Sequence, residues 1–86
     1  MEDSNTTIFN LGVLREKLIL IVLNEVIVTL KENGYNPTNQ LVGYLSTGDL
    51  CYITSKGNAR EKIAKFYKEE ILKAILNGYL EKWKDI

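Results

Sequence analysis

The densest apolar stretch of the chain lies between Val13 and Glu32 and repeats with the period of an α-helix. It contains no proline or glycine, and it is followed by Asn33-Gly34, a pair that commonly stops helices. The pattern therefore predicts a helix of roughly 20 residues. Its predicted core face, on a spacing of 100° per residue, consists of Ile19, Leu20, Val22, Leu23, Val26, Ile27 and Leu30.

A second apolar line follows the other side of this helix, among charged and polar residues. One small monomer cannot easily cover both faces of its longest helix, so the second line predicts a homodimer. The residues predicted at the dimer interface are Leu14, Leu18, Ile21 and Val28. Two other interpretations are less well supported. The run LILIVL has the composition of a buried strand, but LREK and TLKE on either side favour a helix. A membrane span needs about 20 apolar residues, and Lys17, Asn24 and Glu25 interrupt this stretch.

The first ten residues lack helical periodicity and are rich in serine, threonine and asparagine. They predict a flexible N-terminal arm over residues 1–10, followed by a single helical domain over residues 11–86. A core of this size is marginal alone, and oligomerisation commonly supplements it. The predicted fold is all-α: a small bundle of about four helices with a flexible N-terminal arm, forming an intertwined homodimer.

The stretch GYNPTNQLVGYL, residues 34–45, predicts a tight turn into a short second helix. Gly34 accepts the left-handed backbone that ends the first helix, Asn36 is a good N-cap, and Pro37 suits the first helical position. The predicted apolar side of this second helix is Leu41, Val42 and Leu45. This structural explanation does not require Tyr35, Asn39, Gln40 and Tyr44, although tyrosines at helical spacing often lie at the edge of a core.

Two shorter helical segments are predicted in the second half of the chain. Asp49 is expected to cap a brief turn through Leu50 to Ile53, and Asn58 to cap the helix that follows the loop TSKGN. The apolar pattern then changes phase, which predicts a kink or a break near residues 68–70. The apolar positions before the change are Ile63, Phe66 and Tyr67, and those after it are Ile71, Leu72, Ile75, Leu76, Tyr79, Leu80 and Trp83.

Composition argues against several classes of function. The chain has 11 basic and 11 acidic residues, whereas proteins that grip nucleic-acid phosphates usually carry a basic surplus. It has no histidine, so the usual zinc ligands and acid–base groups are missing, and neither an enzyme, a metal nor a cofactor is expected. The lone Cys51 excludes an intramolecular disulfide and is expected to be a small buried apolar residue. The acidic, polar start MEDSNTTIF is unlike an export signal, so cytoplasmic location is expected.

A family resemblance adds what composition does not show. The stretches GYNPTNQLVGYL, STGDLCYI, NAR, EEIL and GYL follow one another without a gap between Gly34 and Leu80. They resemble the IreB/ReoM family of small regulatory phosphoproteins, whose pattern includes GYNPxNQxVGY. The resemblance covers more than half of the chain, while the first helix is similar in length and position more than in residues.

This resemblance implies a regulatory adaptor. Members of the family are all-helical homodimers of low-GC Gram-positive bacteria, phosphorylated on an N-terminal threonine by a membrane-bound Ser/Thr kinase. The unmodified protein helps a Clp protease degrade the enolpyruvyl transferase that begins peptidoglycan precursor synthesis. In TTIFNLG the family motif places the phosphorylated residue at Thr6, and Thr7 is the alternative acceptor. An exposed arm suits a kinase, and a phosphate adds about −1.5 to −2 charges.

The chain departs from the family pattern in its basic residues. Leu50 and Thr54 replace prolines, Ser55 and Ala64 replace arginines, and Lys68 stands at a further arginine position. Because lysine offers a point charge where arginine binds a phosphate with two parallel hydrogen bonds, the departures indicate a divergent member with altered partner or control. The basic residues that remain are Arg60, Lys62, Lys65 and Lys68.

The residues predicted to contact a protein partner, a protease adaptor or cell-wall enzyme, are Tyr35, Asn36, Asn39, Gln40 and Arg60. A rival prediction is a helix-turn-helix nucleic-acid module, because two short helices after the Gly-Tyr-Asn-Pro turn imitate that motif. The zero net charge and the apolar LVGYL face of the second helix argue against this rival.

Overall fold

A computed structural model of the protein describes residues 2–83, and it describes side chains from residue 11 onward. Four α-helices follow one another in this part of the chain: α1 (Glu2–Glu32), α2 (Pro37–Thr47), α3 (Ala59–Ile63) and α4 (Lys68–Glu81). Two single-turn 3₁₀ helices, Leu50–Tyr52 and Lys56–Asn58, lie between α2 and α3. Residues 2–83 contain no β-strand, so the all-α prediction is confirmed. The homodimer stays a prediction.

Helix α1 begins earlier than its apolar pattern predicts. It starts at Glu2 rather than near Val13, so residues 2–10, which were predicted to form a flexible arm without helical periodicity, belong to the helix. Residues 2–11 contain no proline or glycine, the two residues that most disfavour a helix interior. The flexibility of this segment stays a prediction.

The core lies along the predicted face of α1. Ile19, Leu23, Val26 and Leu30 are buried, and the other three residues of that face pack against them partly buried. Helix α1 contacts all three other α-helices, so this one stripe carries the packing of the whole bundle. The core prediction for α1 is confirmed.

Helix α2 is turned differently from its predicted orientation. Leu41 is buried and Leu45 is partly buried, as predicted, but Val42 is exposed and Tyr44 is buried in its place. Positions 41 and 44 are one helical turn apart and share a face, whereas position 42 lies about 100° away from Leu41. The tyrosine therefore belongs to the core of the protein.

The predicted break in the last helical segment exists, a few residues earlier than expected. Helix α3 ends at Ile63 and α4 begins at Lys68, so the phase change falls at residues 64–67. Two alanines that the apolar pattern did not single out, Ala59 and Ala74, are fully buried. The predicted cap of α3 is wrong in its geometry: Asn58 has a left-handed backbone (φ 61°) and makes no side-chain cap hydrogen bond.

Candidate protein-interaction sites

In the turn between α1 and α2, the predicted site residue Asn36 makes a hydrogen bond to the backbone of the turn. Gly34 has φ 82°, in the left-handed region where glycine is favoured, and the N–H of Tyr35 donates back to the carbonyl oxygen of Leu30 at 2.9 Å. Asn36 Oδ1 accepts a hydrogen bond from the N–H of Asn39 at 3.0 Å, which makes Asn36 the N-cap of α2. The Asn36 side chain therefore serves the fold.

Gln40 and Arg60 hold the segment between α2 and α3. Gln40 Oε1 accepts from the N–H of Thr54 at 2.9 Å, and Arg60 Nε donates to the carbonyl oxygen of Ile53 at 2.8 Å. Gln40 of α2 and Arg60 of α3 therefore bind neighbouring backbone groups of the same loop. These contacts give both predicted residues a structural role.

The loop held in this way presents Tyr52 on the outside of α2. The Tyr52 ring lies against Gly43 so closely that a Cβ atom on Gly43 would stand 2.5 Å from the ring Cδ1. Tyr52 is 49% exposed, and Val42, beside Gly43 on α2, is 55% exposed. Asn39 is exposed one turn before Val42. We call Asn39, Val42 and Tyr52 the α2 surface.

Asn39 and Val42 of the α2 surface lie in the least charged part of the chain. No charged residue occurs from Gly34 to Gly48, although charged residues make up 26% of the protein. Centres of protein–protein interfaces are depleted in charge and enriched in tyrosine. A helix that reads DNA normally contacts phosphates through lysine or arginine, and α2 has neither. The α2 surface is therefore better suited to a protein than to nucleic acid.

Tyr35 lies at the edge of the core. It is partly buried against the hydrophobic cluster, and the ammonium group of Lys56 lies 5.8 Å from the centroid of its ring. This distance is within the range of a cation–π interaction. Of the five residues predicted to contact a partner, Asn39 alone belongs to the α2 surface, and the structure does not test whether any of the five binds a partner.

Exposed apolar side chains cover the outer face of α1. The four residues predicted at the dimer interface are between 48% and 59% exposed. Helix α4 carries a second exposed apolar set, and a cleft of about 570 Å³ separates its end from α1 between Leu20 and Leu80. The exposed apolar set of α4 and of the two residues that follow the helix consists of Leu72, Ile75, Leu76, Tyr79, Leu80 and Trp83. Exposed apolar surface of this extent is typical of protein interfaces.

An ion pair that the apolar pattern did not predict ties α4 to α1. Arg15 makes two hydrogen bonds to the Glu70 carboxylate, Nε to Oε2 at 2.9 Å and Nη2 to Oε1 at 3.1 Å, and its Cζ lies 5.4 Å from the centroid of the Phe66 ring. Glu70 Oε1 also accepts from the N–H of Tyr67 at 3.1 Å, at the start of α4. The next residue of α1, Glu16, accepts from Asn77 Nδ2 at 2.8 Å.

The Arg15 guanidinium lowers the pKa of the Glu70 carboxyl, chiefly through its hydrogen bonds, and the Tyr67 N–H adds to this effect while partial desolvation opposes it. The same pair raises the pKa of Arg15. Among the remaining basic residues of the family pattern, Lys62 lies 3.7 Å from the Glu25 carboxylate and Lys68 lies 3.5 Å from that of Glu69. Acidic neighbours therefore further reduce the basic surface.

The predicted phosphorylation site stays untested by the structure, whereas the predicted burial of Cys51 is wrong. The side chains of Thr6 and Thr7 lie outside the described residues, so the predicted phosphorylation site has no described geometry. Cys51 is exposed, which corrects the expectation of a buried thiol: it lies in the 3₁₀ turn that Asp49 caps through the Cys51 N–H at 2.9 Å, and this turn keeps it at the surface. The predicted cap at Asp49 is confirmed.

Two further findings concern the described residues alone. In residues 2–83, no helix is long and apolar enough to cross a membrane. In the same part of the chain, no three potential ligands among the Cys, Asp and Glu side chains come together as a metal site would require.

The described residues form a small all-helical protein with exposed apolar side chains on α1 and α4. The chain matches the model of the IreB regulatory phosphoprotein family over residues 4–81. This match covers most of the chain, and the protein belongs to that family, which comprises regulators rather than enzymes. Membership of a phosphoprotein family implies a kinase partner.

Proposed function

We propose that this protein is a non-enzymatic regulatory adaptor that controls peptidoglycan precursor synthesis in the cytoplasm. A membrane-bound Ser/Thr kinase phosphorylates it on Thr6, with Thr7 as the alternative acceptor. The unmodified form promotes Clp-dependent proteolysis of a biosynthetic enzyme. The observation that carries this proposal is the family match, which begins at residue 4 and therefore includes both threonines.

The α2 surface is the part of the protein that contacts the protease adaptor or the cell-wall enzyme. Its support is the combination of an exposed tyrosine, an exposed valine and no charge on the whole helix. The loop that carries Tyr52 is also preorganised, because Gln40 and Arg60 make hydrogen bonds to the backbone directly after Tyr52. Because a fixed side chain loses little freedom on binding, such a tyrosine is a favourable contact.

A homodimer is the second part of the proposal. Leu14, Leu18 and Ile21 lie along one exposed side of α1, and Val28 continues it. A second copy of the chain removes this apolar surface from water, and a two-fold axis presents the same surface from both partners. The exposed face of α4 extends the area available to the same interface.

A pull-down with purified Clp protease components and the enolpyruvyl transferase tests the adaptor role. We expect the wild type and Thr6→Ala to retain both proteins, and Thr6→Glu to lose them, because the glutamate carries part of the charge of a phosphate. Mass spectrometry of the protein from its native cytoplasm should show phosphate on Thr6 or Thr7. Equal retention by the wild type and Thr6→Glu, with no phosphate on either threonine, contradicts the proposal.

Val42→Glu tests the α2 surface in the same pull-down, with Ser46→Glu as its control. Both changes add one carboxylate to an exposed position of α2, but Ser46 lies one turn further along the same side of the helix, beyond the defined surface. Loss of the partner with Val42→Glu and its retention with Ser46→Glu support this surface. If Val42→Glu retains the partner as well as the wild type does, the contact lies elsewhere.

A further inference from the structure

The cleft between α1 and the end of α4 combines apolar walls with a hydrogen-bonded polar pair. Val13, Leu20 and Leu80 supply the apolar walls. On the same lining, Glu16 Oε2 accepts a hydrogen bond from Asn77 Nδ2 at 2.8 Å. Binding pockets in proteins commonly have this volume, here about 570 Å³, and this mixture of many apolar and few polar groups. The cleft can therefore receive a bulky apolar group that carries a hydrogen-bond donor.

A glycine on the wall of the cleft keeps it wide. Gly78 lies inside α4 and lines the cleft, and no atom of the described residues lies within 4 Å of the place where its Cβ would stand. Glycine weakens a helix interior relative to alanine. No contact within the described part of the protomer requires glycine at this position. A long side chain at position 78 would occupy part of the cleft, so the glycine preserves the space.

The only tryptophan of the chain lies close by and is half exposed. Trp83 follows α4, its side chain is 50% exposed, and its ring centroid lies 5.9 Å from that of Tyr79. Tryptophan is enriched among the residues that dominate protein interfaces, and its N–H usually finds an acceptor when the ring is buried. The cleft offers apolar walls for the ring and the Glu16 carboxylate as an acceptor. Lys17 also lines it, and ammonium groups are attracted to the face of an indole.

We propose that Trp83 of a second copy of the chain fills this cleft. Trp83 does not line the cleft of its own protomer. Leu80 joins the two surfaces, because it lines the cleft and also belongs to the exposed apolar set of α4. A copy that covers this set therefore also reaches the cleft.

Two-fold symmetry makes the exchange reciprocal. Each copy supplies its own Trp83 and receives that of the other, so the cleft of a single protomer is incomplete. This inference rests on the proposed homodimer, and it extends the interface from the outer face of α1 to the end of α4.

Fluorescence tests the inference directly, because the emission of a single tryptophan reports on position 83 alone. The emission wavelength and the quenching by acrylamide are measured for the wild type at concentrations at which sedimentation shows a dimer. The monomeric reference is the variant Leu18→Glu/Ile21→Glu, which carries the same tryptophan. We expect the dimer to emit at shorter wavelength and to be quenched less than this reference. Trp83→Ala is expected to raise the Kd of the dimer at least about tenfold.

Gly78→Leu tests whether the cleft is the place where the tryptophan is buried. The leucine fills the cleft from within its own protomer, so Trp83 should be quenched as strongly as in the monomeric reference. Gly78→Ala is the matched control: it also replaces the helix glycine, but a methyl group is far smaller than the cleft, so the protection of Trp83 should remain. Circular dichroism of both variants shows whether they keep the helical content of the wild type.

Three results would overturn the inference. The first is a wild-type dimer whose Trp83 is quenched as strongly as in the monomeric reference, and the second is equal protection of Trp83 in both, which would place the ring within its own protomer. The third is a folded Gly78→Leu dimer in which Trp83 stays protected, or, if that variant does not fold, a Trp83→Ala dimer with the Kd of the wild type. A wild type that sediments as a monomer at all concentrations refutes the proposed homodimer itself, and this inference with it.

Discussion

Replacing Gly43 by alanine tests whether Tyr52 is fixed against α2. The new Cβ would stand 2.5 Å from Cδ1 and 2.8 Å from Cγ of the ring, and Cγ is too close to the backbone to move without turning the whole side chain. Overpacking of this kind costs about 1–3 kcal/mol. Alanine in place of glycine returns about 1 kcal/mol through its higher helix propensity. The net destabilisation expected is about 1 kcal/mol.

The sign of this effect is expected to reverse when the ring is removed. In a Tyr52→Ala background, Gly43→Ala meets no ring and should stabilise the protein by about 1 kcal/mol. The free energies of unfolding are measured by urea denaturation of all four proteins in a double-mutant cycle. Gly78→Ala, which has open space around its Cβ position, should stabilise in both backgrounds. An effect of Gly43→Ala that is the same with and without Tyr52 would refute this reasoning.

Two more outcomes are expected. Because the folded pKa of Glu70 lies below its usual value of 4.5, the folded state binds fewer protons, so the stability from its pair with Arg15 is present above that pH and is lost as the pH falls through the folded pKa. In acid urea titrations Glu70→Gln should therefore lose less stability than the wild type, and an equal loss contradicts the pair. In analytical ultracentrifugation the wild type should sediment at twice its chain mass of 9.8 kDa. The double variant Leu18→Glu/Ile21→Glu should sediment as a monomer, and the control Ser46→Glu as a dimer. A double variant that remains dimeric would exclude the α1 face as the interface.

The parts of the fold that could be predicted are local in the sequence. The α1 core stripe follows from the helical period, and the α2 start follows from Gly34, Asn36 and Pro37, whose roles are set by residues within three or four positions. The burial of Ala59 and Ala74 was not predicted, because alanine contributes little to the apolar periodicity of a sequence even where it is fully buried in the structure. The helical state of residues 2–10 was not predicted either, because that segment has no apolar period.

The candidate sites could be predicted only in part, because their geometry depends on distant residues. Arg15 and Glu70 are 55 positions apart, so only the packing of α4 on α1 brings them together. Tyr52 meets Gly43 only because the loop returns along α2. The family resemblance selected Gln40 and Arg60 as candidate contacts, and the structure shows a role for each in holding that loop.

Glu70 has a consequence for how the protein folds. One carboxylate both closes the first turn of α4, through the Tyr67 N–H, and holds Arg15 of α1. The start of α4 and its attachment to α1 are therefore formed or lost together. Ile71 and Ala74 then enter the same buried cluster as α1. Folding of α1 and α4 is thus expected to be cooperative, and neither helix could be expressed as a separate module that keeps its native structure.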